Sequence, residues 1–125
     1  MVQEQVLDPL RTAALKVFVV WAPVLKTDTR EAAAQATRLI PDLRARHYWD
    51  SELCLGRRFA DVVPLPRKGR LAWDVYFGNG ADAQWKEAPP MPAAWMHQLS
   101  RGRDPRLLDG AKLRAEIQTL LEKAR

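Results

Sequence analysis

Apolar and polar positions alternate with different periods in successive parts of this chain. Residues 17–21, Val-Phe-Val-Val-Trp, are continuous, β-branched and aromatic. Such a run predicts a central strand covered by helices on both faces. Pro23 lacks an amide donor and ends its pairing. Asp28-x-x-Glu31 reads as a capping box. Behind it, 30–40 reads as a helix with Ala32, Ala36, Leu39 and Ile40 on one stripe, stopped by Pro41. Residues 44–49 have weaker strand character. Asp50 then stands where a helix cap is expected, and Leu55, Phe59, Val62 and Val63 recur at helical spacing through 51–63. Upstream, Asp8-Pro9 fits a helix start.

The second half continues with a loop over 64–70 and a strand over 71–77, with Trp73, Val75 and Phe77 on one face. Gly78-Asn79-Gly80 is a turn signal that predicts a hairpin with a returning strand at 83–86. Pro89, Pro90 and Pro92 interrupt regular structure, and 95–99 fits a short helix after them. Asp109 caps a last helix striped by Leu113, Ile117, Leu120 and Leu121. Lys123 and Arg125 lie at its end, where positive charge suits the helix dipole. The order is β-α-β-α-β-β-α, which predicts one α/β domain over 1–125. Its sheet is expected to be central and mixed, with helices on both faces.

Composition narrows the class. The 125 residues suit one core, and 47% hydrophobic content argues against general disorder. Twenty basic against fifteen acidic residues leave a net charge of +5, a modest excess that favours anions without implying nucleic acid. No familiar nucleic-acid motif accompanies it, and nucleic acid is not expected as a partner. The longest apolar run, 17–25, is far shorter than a membrane span. No basic stretch followed by a long apolar run opens the chain. With one cysteine, Cys54, no intrachain disulfide exists. A soluble cytoplasmic protein is the expectation.

On its element order the chain resembles the thioredoxin-like superfamily from Val17 to about Ala124. The first strand ends in Trp21-Ala22-Pro23-Val24-Leu25, where redox-active members carry Trp-Cys-x-x-Cys. Trp21 stands at that family's tryptophan, Ala22 at its nucleophilic cysteine and Leu25 at its resolving one. The resemblance points to a divergent bacterial branch without the dithiol, and the Trp73-Asp74-Val75-Tyr76 segment is similar to it. It implies a thioredoxin-like fold with no dithiol exchange, since that chemistry needs two thiols. A cis-proline just before the third strand is also implied, but Pro64 and Pro66 lie several residues early.

Other chemistry-bearing groups are sparse. Cys54 sits near a helix start, outside the family's usual nucleophile element, and reads as a buried structural thiol. His47 and His97 have no metal-ligand spacing, so no metal is expected. No Gly-rich phosphate loop follows the first strand, so no nucleotide cofactor is expected either. Asp50 is explained as a cap. Asp74, inside an apolar strand, is expected to pair with Arg46 across the sheet. No catalytic residue is assigned. Trp21, Pro23, Asp50, Trp85 and Trp95 are the residues expected to form a ligand or partner surface. The functional expectation is a non-redox thioredoxin-like binding role, with a protein partner or a second copy. Two alternatives stand beside it. One is an enzyme using Cys54 as a lone thiol. The other is a weak polyanion binder built on Arg57, Arg58, Arg67, Lys68, Arg70, Arg101, Arg103 and Arg106.

Overall fold

The computed structural model describes residues 1–66 and 71–124. They gather into two compact units, Met1–Cys54 and Leu55–Arg125. Arg67, Lys68, Arg70 and Arg125 lie outside the described residues.

In the first unit, β1 (Val17–Trp21) pairs in parallel with β2 (Ala45–Trp49), Val17 opposite Ala45 and Trp21 opposite Trp49. The crossover carries α1 (Arg30–Ala36) and a 3-10 turn, Thr37–Leu39. The helix cap is Thr29 rather than Asp28. Thr29 is extended, and its side chain accepts the Ala32 N–H at 3.0 Å. Asp28 instead accepts the Leu25 N–H at 2.7 Å, closing the turn before the helix. A π-helical turn, Gln3–Leu7, opens the chain upstream of Asp8-Pro9, and no helix lies between Pro9 and β1.

Arg44 ties that opening segment down. Its guanidinium donates to the carbonyls of Leu7 at 2.8 Å and Thr12 at 3.0 Å, and to that of Leu10. It also grips Asp42, Nη2 to Oδ2 at 2.7 Å and Nε to Oδ1 at 2.9 Å. One planar fork of donors thereby satisfies the carbonyl that ends the π-helical turn and two more beyond it. The Arg44 hydrogen bonds hold the Asp42 carboxyl well below the usual carboxylate range.

In the second unit, β3 (Val75–Gly78) pairs antiparallel with β4 (Ala94–His97), and α3 (Gly110–Lys123) follows. Asp109 caps α3 through its side chain, which accepts the Lys112 N–H at 3.1 Å. The apolar stripe of α3 reaches β3: a Cβ on Gly78 would lie 3.4 Å from Leu120 Cδ1 and 3.7 Å from Ile117 Cγ1. Phe59 of α2 (Cys54–Ala60), Val63 and Trp95 form the centre of the core, with Leu55, Leu65, Ala72 and Phe77 around them. The Phe59 and Phe77 rings stack at 4.5 Å. Gly56 permits this packing. A Cβ there would stand 2.6 Å from Leu71 Cδ1 and 2.7 Å from the Ala72 carbonyl oxygen.

The expected mixed central sheet is not formed. β1–β2 and β3–β4 are separate two-stranded sheets. The thioredoxin-like fold is therefore corrected to an α/β arrangement with one parallel and one antiparallel pair. Neither β3 nor β4 pairs with β1 or β2, and the returning strand of the hairpin also differs from the expected one. Residues 83–86 offer a single large apolar side chain, Trp85, and stay outside any strand. The strand is supplied instead by Ala94–His97, all four residues buried. That segment was expected to be helical. A short apolar run has no period that separates a buried strand from a buried helix. The proline before the third strand also departs from the family: no peptide bond among the described residues is cis.

Candidate functional site

The alternation of β1 and β2 creates two unlike faces. Val17, Val19 and Trp21, with Ala45, His47 and Trp49, are half-buried. On this face the Trp21 indole N–H donates to His47 Nδ1 at 3.0 Å, and the two rings stack 6.1 Å apart, 10° from parallel. An indole N–H only donates, so Nδ1 is the acceptor. Nε2 then carries the hydrogen, donated to the Ile40 carbonyl at 3.1 Å. His47 thus links both strands to the end of the crossover.

The opposite face is open. Phe18 is 63% exposed, Tyr48 48% and Val20 37%, and Arg46 is exposed beside them. Arg46 stands opposite Phe18 in the register, and Tyr48 opposite Val20. The Phe18 and Tyr48 rings stack diagonally with centroids 6.4 Å apart. A parallel sheet ordinarily has both faces covered. Here one face carries three large apolar side chains and one cation in solvent.

The residues expected to form a site fall as follows. Trp21 and Asp50 meet at one end of the parallel pair, where the Asp50 N–H donates to the Trp21 carbonyl at 2.8 Å. Pro23 is half-buried just beyond. The Asp50 side chain accepts the Cys54 N–H at 3.1 Å, but α2 begins at Cys54, three residues later than a helix capped directly by Asp50 would. Trp85 is 48% exposed and stands perpendicular to the Phe59 ring, centroids 5.7 Å apart. Trp95 is 5% exposed, inside the core, with the Arg106 guanidinium 4.6 Å from its ring centre. Cys54 is exposed rather than buried, its thiol 3.9 Å from Glu52 Oε2.

Asp74 precedes β3 with φ of 49°, in the left-handed region, and is exposed. It shares no sheet with Arg46, so the expected cross-sheet pair has no framework. Its carbonyl accepts the Gln98 N–H at 2.9 Å. Burial pushes the Tyr76 phenol up, with the Asp74 carboxylate adding to the effect.

A cluster that no motif announced surrounds His97, which is fully buried. Asp104 Oδ2 accepts from His97 Nε2 and from Ser100 Oγ, both at 3.0 Å, while Oδ1 accepts the Arg106 N–H at 2.8 Å. The Arg106 N–H first, then the Ser100 hydroxyl and His97, hold this carboxyl below its usual value against a desolvation cost. Three residue types of a hydrolase triad are present in the wrong order. The carboxylate stands between serine and imidazole, and His97 Nδ1 already accepts the Leu99 N–H at 3.0 Å. The imidazole cannot take a proton from serine, so nucleophile activation of that kind is absent here. The cluster is a clasp. With the bonds from His97 N to Arg106 O and from Leu108 N to His97 O, both 2.9 Å, it fastens the loop after β4 onto the strand. The spacing His97, Ser100, Asp104 is the one signal in the sequence that pointed to it.

Beside this clasp lies an open recess of about 470 Å³ lined by Pro66, Gln98, Leu99, Ser100 and Arg101. Among the described residues, no three His, Cys, Asp or Glu side chains gather as metal ligands. Nor is any helix among them long and apolar enough to cross a membrane. Of the basic residues expected to converge, Arg106 covers Trp95, Arg58 donates to the Glu87 carbonyl, and Arg67, Lys68 and Arg70 lie outside the described residues. No family model, curated protein or solved structure matches the chain significantly. With the thioredoxin sheet absent, the non-redox thioredoxin-like binding role that rested on it is withdrawn.

Proposed function

We propose that this protein works through protein–protein contact made by the open face of β1–β2. The observation that carries this reading is the stacked, solvent-exposed pair Phe18–Tyr48, with Val20 and Arg46 around it. Aromatic residues and arginine are the side chains enriched at protein contact surfaces, and they dominate binding energy there. Covering the face would also give the parallel pair the second layer such sheets normally have. Of the residues expected at a surface, Trp21 turns to the opposite face of this pair, towards His47, and Pro23 and Asp50 follow the strands at their C-terminal end. A cytoplasmic setting goes with the reading, since Cys54 has no second cysteine in the chain to oxidise with.

A surface kept for a partner contributes little to the fold of the free chain. Replacing Phe18 and Tyr48 together by threonine preserves strand preference and removes one exposed aromatic pair. Urea unfolding is expected to show a loss of at most about 1 kcal/mol. A loss of about 3 kcal/mol or more, the size expected of core aromatics, would mean that the face belongs to the chain's own core and would sink the reading.

A further inference from the structure

We infer that Asn79 is a site of spontaneous, ring-forming modification, at which asparagine becomes aspartate and isoaspartate with water as the co-reactant. Asn79 is the one asparagine in the sequence, and Gly80 follows it. Asn-Gly between paired strands ordinarily closes a hairpin turn with positive φ at both residues. Neither residue takes a positive φ here, and the strand that pairs with β3 begins only at Ala94. The β3–β4 ladder stops at the Gly78–Ala94 pair, so Asn79 and Gly80 continue past it outside any strand. Asn79 is exposed, and among the described residues nothing accepts the Gly80 N–H and nothing bonds the Asn79 side chain. A glycine has no side chain to hinder the approach of its amide to the preceding carboxamide. The Gly80 nitrogen attacks Asn79 Cγ, the new C–N bond closes a five-membered imide, and the side-chain nitrogen leaves with the amide proton as ammonia. Water opens the imide at either carbonyl, giving aspartate or isoaspartate. The sum is carboxamide plus water to carboxylate plus ammonium, with nothing oxidised or reduced. The new carboxylate lowers the net charge of +5 by one. Asp109-Gly110 could close the same ring but is held back by the fold. Asp109 Oδ1 accepts the Lys112 N–H at 3.1 Å, and buried Gly110 is the first residue of α3.

Ageing the whole folded chain in mildly alkaline buffer at body temperature, beside a urea-unfolded sample, tests this. Intact mass is expected to rise once per chain by about 1 Da, the difference between a side-chain amide and a carboxylic acid. Peptide mapping should place the gain at Asn79 and find isoaspartate there in excess over aspartate. Isoaspartate separates the ring route from direct hydrolysis, which yields aspartate alone. The folded chain should convert no more than about tenfold slower than the unfolded one, since a segment without hydrogen bonds to break has little local opening cost. Gly80→Ala should slow conversion about tenfold or more by crowding the attacking nitrogen. Its added Cβ would stand 2.9 Å from Asp82 Oδ1, the end of an exposed side chain that can turn away, so the variant keeps the circular dichroism of the parent. A folded chain that gains no mass while the unfolded sample converts, a gain without isoaspartate, or equal rates in the parent and Gly80→Ala overturns the inference.

Discussion

The two sheets of this protein are built from similar residues and buried in opposite ways. β1–β2 is parallel, a type that normally lies covered on both sides, yet it leaves Phe18 63% and Tyr48 48% exposed. β3–β4 is antiparallel, a type that often keeps one wet face, yet Ala94, Trp95, Met96 and His97 are all at or below 5% exposure. The second pair is closed because α3, Phe59 and the loop clasped by Asp104 fill the space around it. The first pair has a linked face, Trp21–His47–Ile40, and an open one. The difference teaches that strand direction does not decide burial. What packs against each face decides it, and here one face of the parallel pair is left with exposed aromatic side chains.

The strongest way to break this contrast is to remove an aromatic from the closed sheet. Trp95→Ala should cost about 4 kcal/mol in urea unfolding, because the indole belongs to the buried cluster with Phe59 and Val63 and its loss leaves a cavity. If the cost were no more than that of the paired threonine substitutions on the open sheet, the two sheets would not differ in the way described.

A smaller effect tests how the open sheet is supported. Arg44→Met keeps the aliphatic stem but deletes the donors to Leu7, Leu10 and Thr12 and leaves Asp42 without its cation. A loss of about 3 kcal/mol is expected, the low end for one partner of a partly buried pair. Hydrogen exchange should report where it falls, with protection lost first around residues 3–12. Unchanged protection there would show that the guanidinium is not what holds the opening segment.

The smallest effect is the acid response, which both units share. Asp42 in the first and Asp104 in the second have carboxyls lowered in the folded state. A lowered folded value means stability that is present above the unfolded carboxyl range and lost as pH falls through the folded value. Unfolding free energy should therefore decline from about pH 5 downward, and the decline should extend to lower pH for the more strongly lowered Asp42. Asp42→Asn and Asp104→Asn should each flatten that decline while lowering stability near neutral pH. An unaltered slope in Asp42→Asn would remove Arg44–Asp42 as its source.

Much local structure was written in short-range pattern. β1 occupies the run 17–21, β2 lies within 44–49, α1 and its 3-10 turn fall within 30–40, and Asp109 caps α3. Each depends on propensities and hydrogen bonds made within a few residues. The cap at Thr29 differs by one position because two neighbouring oxygen-bearing side chains compete for the role. Of the candidate surface, Arg46 and Tyr48 carried a usable signal. They alternate with Ala45, His47 and Trp49, and a polar Arg46 marks which side faces water. Carrying that side across the register reaches Phe18 and Val20, but the register itself is a tertiary fact.

By itself, then, the sequence determined where strands and helices nucleate, that no disulfide joins the chain internally, and that its charge is positive. Only the tertiary structure decided which strands pair. The continuous apolar run of β1 is equally compatible with one covered face or two, since hydrophobic burial is not directional. The second strand of the hairpin could be drawn from 83–86 or from 94–97. The choice went to the segment whose four side chains can all be buried, a long-range packing term that no local window contains. The same holds for His97. Its clasp needs Ser100, Asp104 and Arg106 to fold back on β4, and a buried imidazole is stable there because each of its ring nitrogens has a partner.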